Sequence, residues 1–220
     1  MVDQSKIFEK FEGDAWYKRN FLTMNKNLFK RDNLISELEK IIRKYKKKKI
    51  NILEIGCSHG RVLNYLKIKF PQVNVFGLEP SKIAIKNKLS PKLHIKHGVA
   101  RKIPFVNKKF DLLIFGASLN YCDSEDLMSI VNEANRVTKS EAYIAIEDWY
   151  SKNTEYSKYE HQKGMFVRKM NYSKIFLWHP FYSLVVSRVF KYKKGKVLKK
   201  HIHLSNLWSI FILKKRNFNY

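Results

Sequence analysis

The chain has 220 residues, with 44 Lys and Arg against 19 Asp and Glu, for a net charge of +25. That length fits one full-sized domain. Hydrophobic residues make up 45% and aromatic residues 14%, with only eight Gly and five Pro, which excludes a disordered, collagen-like or low-complexity chain.

Residues 1–6 turn polar and acidic where a signal peptide would begin its apolar run, so secretion is not expected. The two cysteines, Cys57 and Cys122, have no metal-ligand spacing and build no disulfide framework, which predicts a reducing, cytoplasmic setting and no metal site. About one cation in five is an arginine, a low share: nine Arg stand beside 35 Lys, whereas groove and phosphate recognition favours the Arg fork. The lysine runs at 43–49 and 191–200 flank predicted strands and read as solvated faces in preference to a polyanion site.

A helical N-terminal arm is expected over residues 1–32, ahead of an α/β domain over 33–220. Leu34, Ile35, Leu38, Ile41 and Ile42 form the apolar stripe of a helix at 33–47. A buried strand at 50–55 leads through Gly56 into a helix at 61–70, which Pro71 ends. A strand at 73–78, a helix at 81–89 and a short strand at 93–97 follow. The strand at 110–116 is apolar enough to lie mid-sheet, and the acidic run 123–126 suits the positive end of a helix carrying Leu127, Ile130, Val131, Ala134 and Val137. After a fifth strand at 141–147, residues 183–192 and 206–214 read as two strands with no helix between them. The segment at about 149–182 is too aromatic for a plain solvent loop and is expected to form a lid over an acceptor pocket. Strands alternating with helices and closing on a hairpin predict a doubly wound, seven-stranded, mostly parallel sheet with one antiparallel strand, a Rossmann-like arrangement. The apolar stretches at 175–190 and 204–213 are too short or too interrupted by His179, Pro180 and Arg188 to cross a bilayer.

The segment Ile52-Leu53-Glu54-Ile55-Gly56-Cys57-Ser58-His59-Gly60 places an acid at a strand end and glycines at a strand-to-helix turn, where a ligand can approach the backbone. A dinucleotide fingerprint begun at Gly56 would need glycines where Ser58 and Arg61 stand, which argues against a nicotinamide or flavin cofactor. The spacing Glu54-x-Gly56-x-x-x-Gly60 resembles the first motif of class I S-adenosylmethionine-dependent methyltransferases, with Ser58 in the place of the usual middle glycine. Glu79, in Gly77-Leu78-Glu79-Pro80-Ser81, stands where that family carries the acid that accepts from both ribose hydroxyls. Gly98-Val99-Ala100-Arg101-Lys102-Ile103-Pro104-Phe105 looks like its next motif region, with Val99 in the place of the Asp that accepts from the adenine amino group, so adenine falls to backbone near Ala100. The resemblance spans roughly residues 35 to 215 and implies S-adenosyl-L-methionine as cofactor, S-adenosyl-L-homocysteine as product, and Glu54, Gly56, Cys57, Gly60, Glu79, Pro80, Ala100, Arg101 and Phe115 around it.

Gly13-Asp14-Ala15-Trp16-Tyr17-Lys18-Arg19-Asn20 is similar to the N-terminal stretch of methyltransferases that accompany bacterial surface-glycan biosynthesis, which implies an arm over the cofactor with Arg19 toward its carboxylate. His161 is the preferred proton acceptor because imidazole titrates near neutral pH, and Tyr121 at a strand end is its rival. Sequences of the Asn-Pro-Pro-Tyr kind that accompany base methylation are replaced by Gly116-Ala117-Ser118-Leu119, and no RNA-binding module is recognisable. O-methylation of a small or sugar-linked, anionic acceptor in capsule or lipopolysaccharide biosynthesis is therefore expected. An RNA methyltransferase using the basic surface, and a catalytically idle nucleoside-binding protein, are the alternatives.

Overall fold

The structure, a computed structural model, describes residues 2–26, 33–46, 48–191 and 207–217. An arm of α1 (Gln4–Ile7), a π-helical turn (Phe8–Glu12) and α2 (Gly13–Lys26) precedes α3 (Asn33–Lys44). Then come β1 (Asn51–Ile55), α4 (Arg61–Lys69), β2 (Asn74–Glu79), α5 (Lys82–Lys86), β3 (His94–His97) and β4 (Phe110–Gly116). A 3-10 turn (Leu119–Tyr121) leads to α6 (Leu127–Val137), β5 (Thr138–Trp149), β6 (Glu155–Lys158), β7 (Phe166–Lys169), α7 (Ser173–Leu177), β8 (Tyr182–Lys191) and β9 (Leu207–Lys215).

Seven of these strands form one sheet in the order β3-β2-β1-β4-β5-β9-β8, while β6 and β7 make a separate hairpin. β1 to β5 pair in parallel, and β9 runs antiparallel to both of its neighbours. This is the expected doubly wound sheet with a single reversed strand. The central strands are apolar on both sides because both sides are covered. Leu34, Leu38, Ile41 and Ile42 of α3 and Val62, Leu63 and Leu66 of α4 pack on Ile52, Val75, Leu112 and Ile114. On the opposite face, Ile130, Val131, Ala134 and Val137 of α6, together with Phe176 of α7, cover Leu53, Leu113, Phe115 and Ile144.

Several boundaries differ from the sequence expectation for identifiable reasons. α6 begins at Leu127, not within the acidic run, because Asp123 and Asp126 hold the arm: the Ser5 amide donates to Asp123 at 3.2 Å and the Ser5 hydroxyl to Asp126 at 2.8 Å. β5 starts three residues early, at Thr138, where the chain leaves α6 with no intervening loop and pairs Thr138 with Phe110. α5 ends at Lys86, short of Leu89. The lysine run at 191–200 lies, beyond Lys191, outside the described residues. Among the described residues no helix is long and apolar enough to cross a membrane.

Candidate active site

The C-terminal ends of β1, β2 and β4 open together, the place where ligands sit in sheets of this winding. A cavity with about 690 Å³ of empty space, part of it open to solvent, lies there. Its floor is strand-end backbone: Ile55 and Gly56 after β1, Glu79 and Pro80 after β2, Gly98 to Ala100 after β3, and Ala117 and Ser118 after β4. Its roof is the arm, through Ser5, Phe8, Gly13 and Trp16, and Tyr121 and Cys122 close one side.

Two glycines permit this arrangement. Gly56 has φ +71°, and a Cβ there would stand 2.8 Å from the Ser118 Cβ, so a side chain would both strain the turn and fill the floor. Gly13 is helical, but a Cβ on it would lie 3.1 Å from backbone atoms of Pro80 and Ser81. The absence of that atom lets the arm rest on the β2 end.

Glu79 is the one charged side chain in the described lining. Its carboxylate accepts from the Ser58 amide at 2.6 Å and the Ser81 amide at 2.9 Å, one bond to each oxygen. Each oxygen keeps a second acceptor position, the pair a vicinal diol needs. Burial raises its pKa to about 7, against the lowering effect of the two amides, and Asp14 adds to the rise. Asp148, near the end of β5, is fully buried and holds the 3-10 turn. The amides of Leu119 and Asn120 donate to one of its oxygens at 3.0 and 3.2 Å, and the Asn120 side chain donates to the other at 2.7 Å. Burial brings the Asp148 pKa to about 6 despite these donors.

Of the residues singled out in the sequence, Gly56, Glu79, Pro80, Ala100 and Tyr121 meet in the lining. The others take structural positions around it. Glu54 is buried on β1 beneath Gly116, and Cys57 is buried behind the turn with its thiol raised by burial. Gly60, with φ +85°, starts α4, and Phe115 is core. Arg101 pairs with Asp3 at 3.1 Å and Asp126 at 3.3 Å. The Arg19 guanidinium does not point into the cavity: it is paired with buried Glu12 and donates to the Tyr159 hydroxyl at 2.9 Å. His161 is exposed, edge-on to Tyr159 at 5.4 Å, and is not brought to the cavity.

The aromatic insertion also sits differently from expectation. Tyr172 and Phe176 are core, Tyr156 and Trp178 are exposed, and no residue of 149–182 lines the cavity. Tyr159 stands one layer behind, packed on Tyr121 at 5.8 Å and Phe8 at 6.3 Å. The arm is the roof instead. The likeness of residues 13–20 implies an arm over the cofactor but with Arg19 as its contact, whereas the arm residues that reach the cavity are Ser5, Phe8, Gly13 and Trp16.

The Methyltransferase domain family profile matches residues 52–141, the span from β1 into β5 that carries the cavity floor. No curated protein sequence matches the chain. Among solved structures, the chain is similar to an S-adenosylmethionine-dependent methyltransferase from Methanosarcina mazei, with TM-score 0.63 and 19% identity over 80% of this chain and 97% of that one. It is similar to a chain in the complex of the Haloferax volcanii Trm112 methyltransferase activator with a methyltransferase, with TM-score 0.68 and 12% identity over 94% and 97%. A third is the 1,6-didemethyltoxoflavin-N1-methyltransferase of Burkholderia thailandensis with bound 1,6-didemethyltoxoflavin and S-adenosylhomocysteine, with TM-score 0.63 and 10% identity over 94% and 90%. At these identities the likenesses establish the fold.

Proposed function

From the premise that this chain is a class I S-adenosylmethionine-dependent methyltransferase, we propose that it methylates a hydroxyl of a small or sugar-linked acceptor, with phosphorylated sugars of bacterial capsule or lipopolysaccharide assembly as the class to test first. The observation that carries this reading is the roofed cavity. An arm docked through Ser5, Phe8, Gly13 and Trp16 covers strand ends whose main chain, aromatic rings and single carboxylate make the mostly apolar, sparsely polar lining of a small-molecule site.

The residues present fit the cofactor. Glu79 would take the ribose hydroxyls on its two remaining acceptor positions, Gly56 would admit the amino-acid end close to backbone, and Gly98 to Ala100 would flank the adenine with main chain. The aromatic faces of Phe8, Trp16 and Tyr121 suit a sulfonium cation better than water does. When bound, S-adenosylmethionine supplies a methyl group already activated by positive sulfur. What remains for the chain is alignment and the exclusion of water.

No Lys, Arg or His stands in the described lining. The reacting end of the acceptor is therefore uncharged, and any phosphate it carries stays outside, where the lysines of this +25 chain can hold it. The glycan context rests on the likeness of residues 13–20 to methyltransferases that accompany surface-glycan biosynthesis. The test is transfer of labelled methyl to a panel of nucleotide-activated and phosphorylated sugars, with short RNAs alongside. Transfer to a sugar supports the reading, and transfer to RNA alone overturns it.

A further inference from the structure

Tyr121 is held from every side but one. Its turn is tied to Asp148, its carbonyl accepts from the Gln4 side chain at 3.0 Å, and its ring packs against Phe8 at 5.2 Å and Tyr159 at 5.8 Å. Its hydroxyl oxygen lies 3.2 Å from Nε1 of Trp16, on the arm. An indole N–H can only donate. The Tyr121 oxygen is therefore the acceptor in that bond, and its own proton has to point elsewhere. No described residue accepts it, and the space that Tyr121 borders is the cavity.

We infer that Trp16 is a positioning residue: its indole N–H sets the polarity of the Tyr121 hydroxyl, which makes Tyr121 a hydrogen-bond donor to the acceptor molecule inside the cavity. This deepens the reading of the cavity as a small-molecule methylation site and rests on it. Burial keeps the phenol protonated at neutral pH, with Asp148 and Glu12 raising its pKa further while Trp16 and Arg19 oppose them. Tyr121 thus holds its proton and does not take one from the acceptor. The arm that roofs the cavity is also the element that supplies Trp16, so the hydroxyl is oriented only when the roof is in place.

The test uses Trp16→Phe, which keeps an aromatic ring and removes the N–H, and Tyr121→Phe, which removes the hydroxyl. In protein carrying ring-labelled tyrosine, the Tyr121 resonance, identified by its loss in Tyr121→Phe, should ionise at higher pH in Trp16→Phe than in wild type. The Trp16 indole N–H should exchange with solvent faster in Tyr121→Phe. With any sugar that accepts methyl, Trp16→Phe should lower kcat about tenfold, the scale of one directed hydrogen bond, while the KM for S-adenosylmethionine stays within about twofold. Added to Tyr121→Phe, the Trp16→Phe change should cost nothing more. An unmoved Tyr121 titration together with unchanged indole exchange overturns the inference, as do additive kinetic effects of the two changes. If no sugar accepts methyl, the acceptor proposal fails while the two spectroscopic measurements still decide the role of Trp16.

Discussion

Asp14 of the arm accepts a hydrogen bond from the Ser81 hydroxyl at 2.7 Å, and the Ser81 amide in turn donates to Glu79 at 2.9 Å. The roof of the cavity and the carboxylate on its floor are therefore joined through one serine. Asp14 also accepts from the Ile83 amide at 3.0 Å, satisfying a backbone donor at the start of α5.

Asp14→Ala removes the oxygen that accepts both bonds and loosens the arm where Gly13 rests on the β2 end. Affinity for S-adenosylhomocysteine should fall about tenfold, the cost of one to two part-buried hydrogen bonds to a charged group. Calorimetric titration of wild type and variant measures this, with circular dichroism as the check that the sheet is intact.

The pKa of Glu79, about 7, makes cofactor binding pH-dependent. The ribose hydroxyls need the carboxylate as acceptor, and a protonated carboxyl donates from one of the oxygens they would use. At pH 8 about nine tenths of molecules carry the charge and at pH 6 about one tenth, so affinity should fall about tenfold between those values. Glu79→Gln should bind weakly at both and show no such slope.

Gly56→Ala introduces a Cβ at a backbone with φ +71° and 2.8 Å from the Ser118 Cβ. The left-handed conformation alone costs about 1–2 kcal/mol. The new methyl also enters the floor, so cofactor affinity should drop by more than the fall in thermal stability accounts for. Paired melting and binding curves separate the two effects.

Asp148→Asn replaces one acceptor oxygen with an amide group that faces either the Leu119 and Asn120 amides or the Trp149 amide and the Asn120 side chain, all of them donors. A buried donor left without a partner costs about 1–3 kcal/mol. The denaturant midpoint should shift accordingly, and turnover should fall because the turn that holds Tyr121 is no longer tied down.

The sheet was legible because its central strands are mostly apolar runs, interrupted in β1 by Glu54. Ile52 to Ile55 and Leu112 to Phe115 are buried from both faces, and such runs leave few other structures open. The polar start of β5, Thr138-Lys139-Ser140, carries no such signal, and the hairpin of β6 and β7 is made of short, largely polar strands. At the site, Gly56, Glu79, Pro80 and Ala100 were readable because turn chemistry is local. Arg19 was not. Its partner Glu12, the last residue of the π-helical turn, lies seven residues away, and Tyr159 comes from 140 residues downstream. The arm was expected over the cofactor, but which of its side chains face the cavity, Phe8 and Trp16, depends on how the helix rests on the strand ends.

The most direct test of the whole account is a calorimetric titration of the wild-type chain and of Glu79→Ala with S-adenosylmethionine and S-adenosylhomocysteine. The account predicts saturable one-site binding of both by the wild type and a loss of at least about a hundredfold in the variant, as expected when two charge-assisted hydrogen bonds disappear. A wild type that takes up neither nucleoside, or a variant that binds them as well as the wild type does, would contradict it.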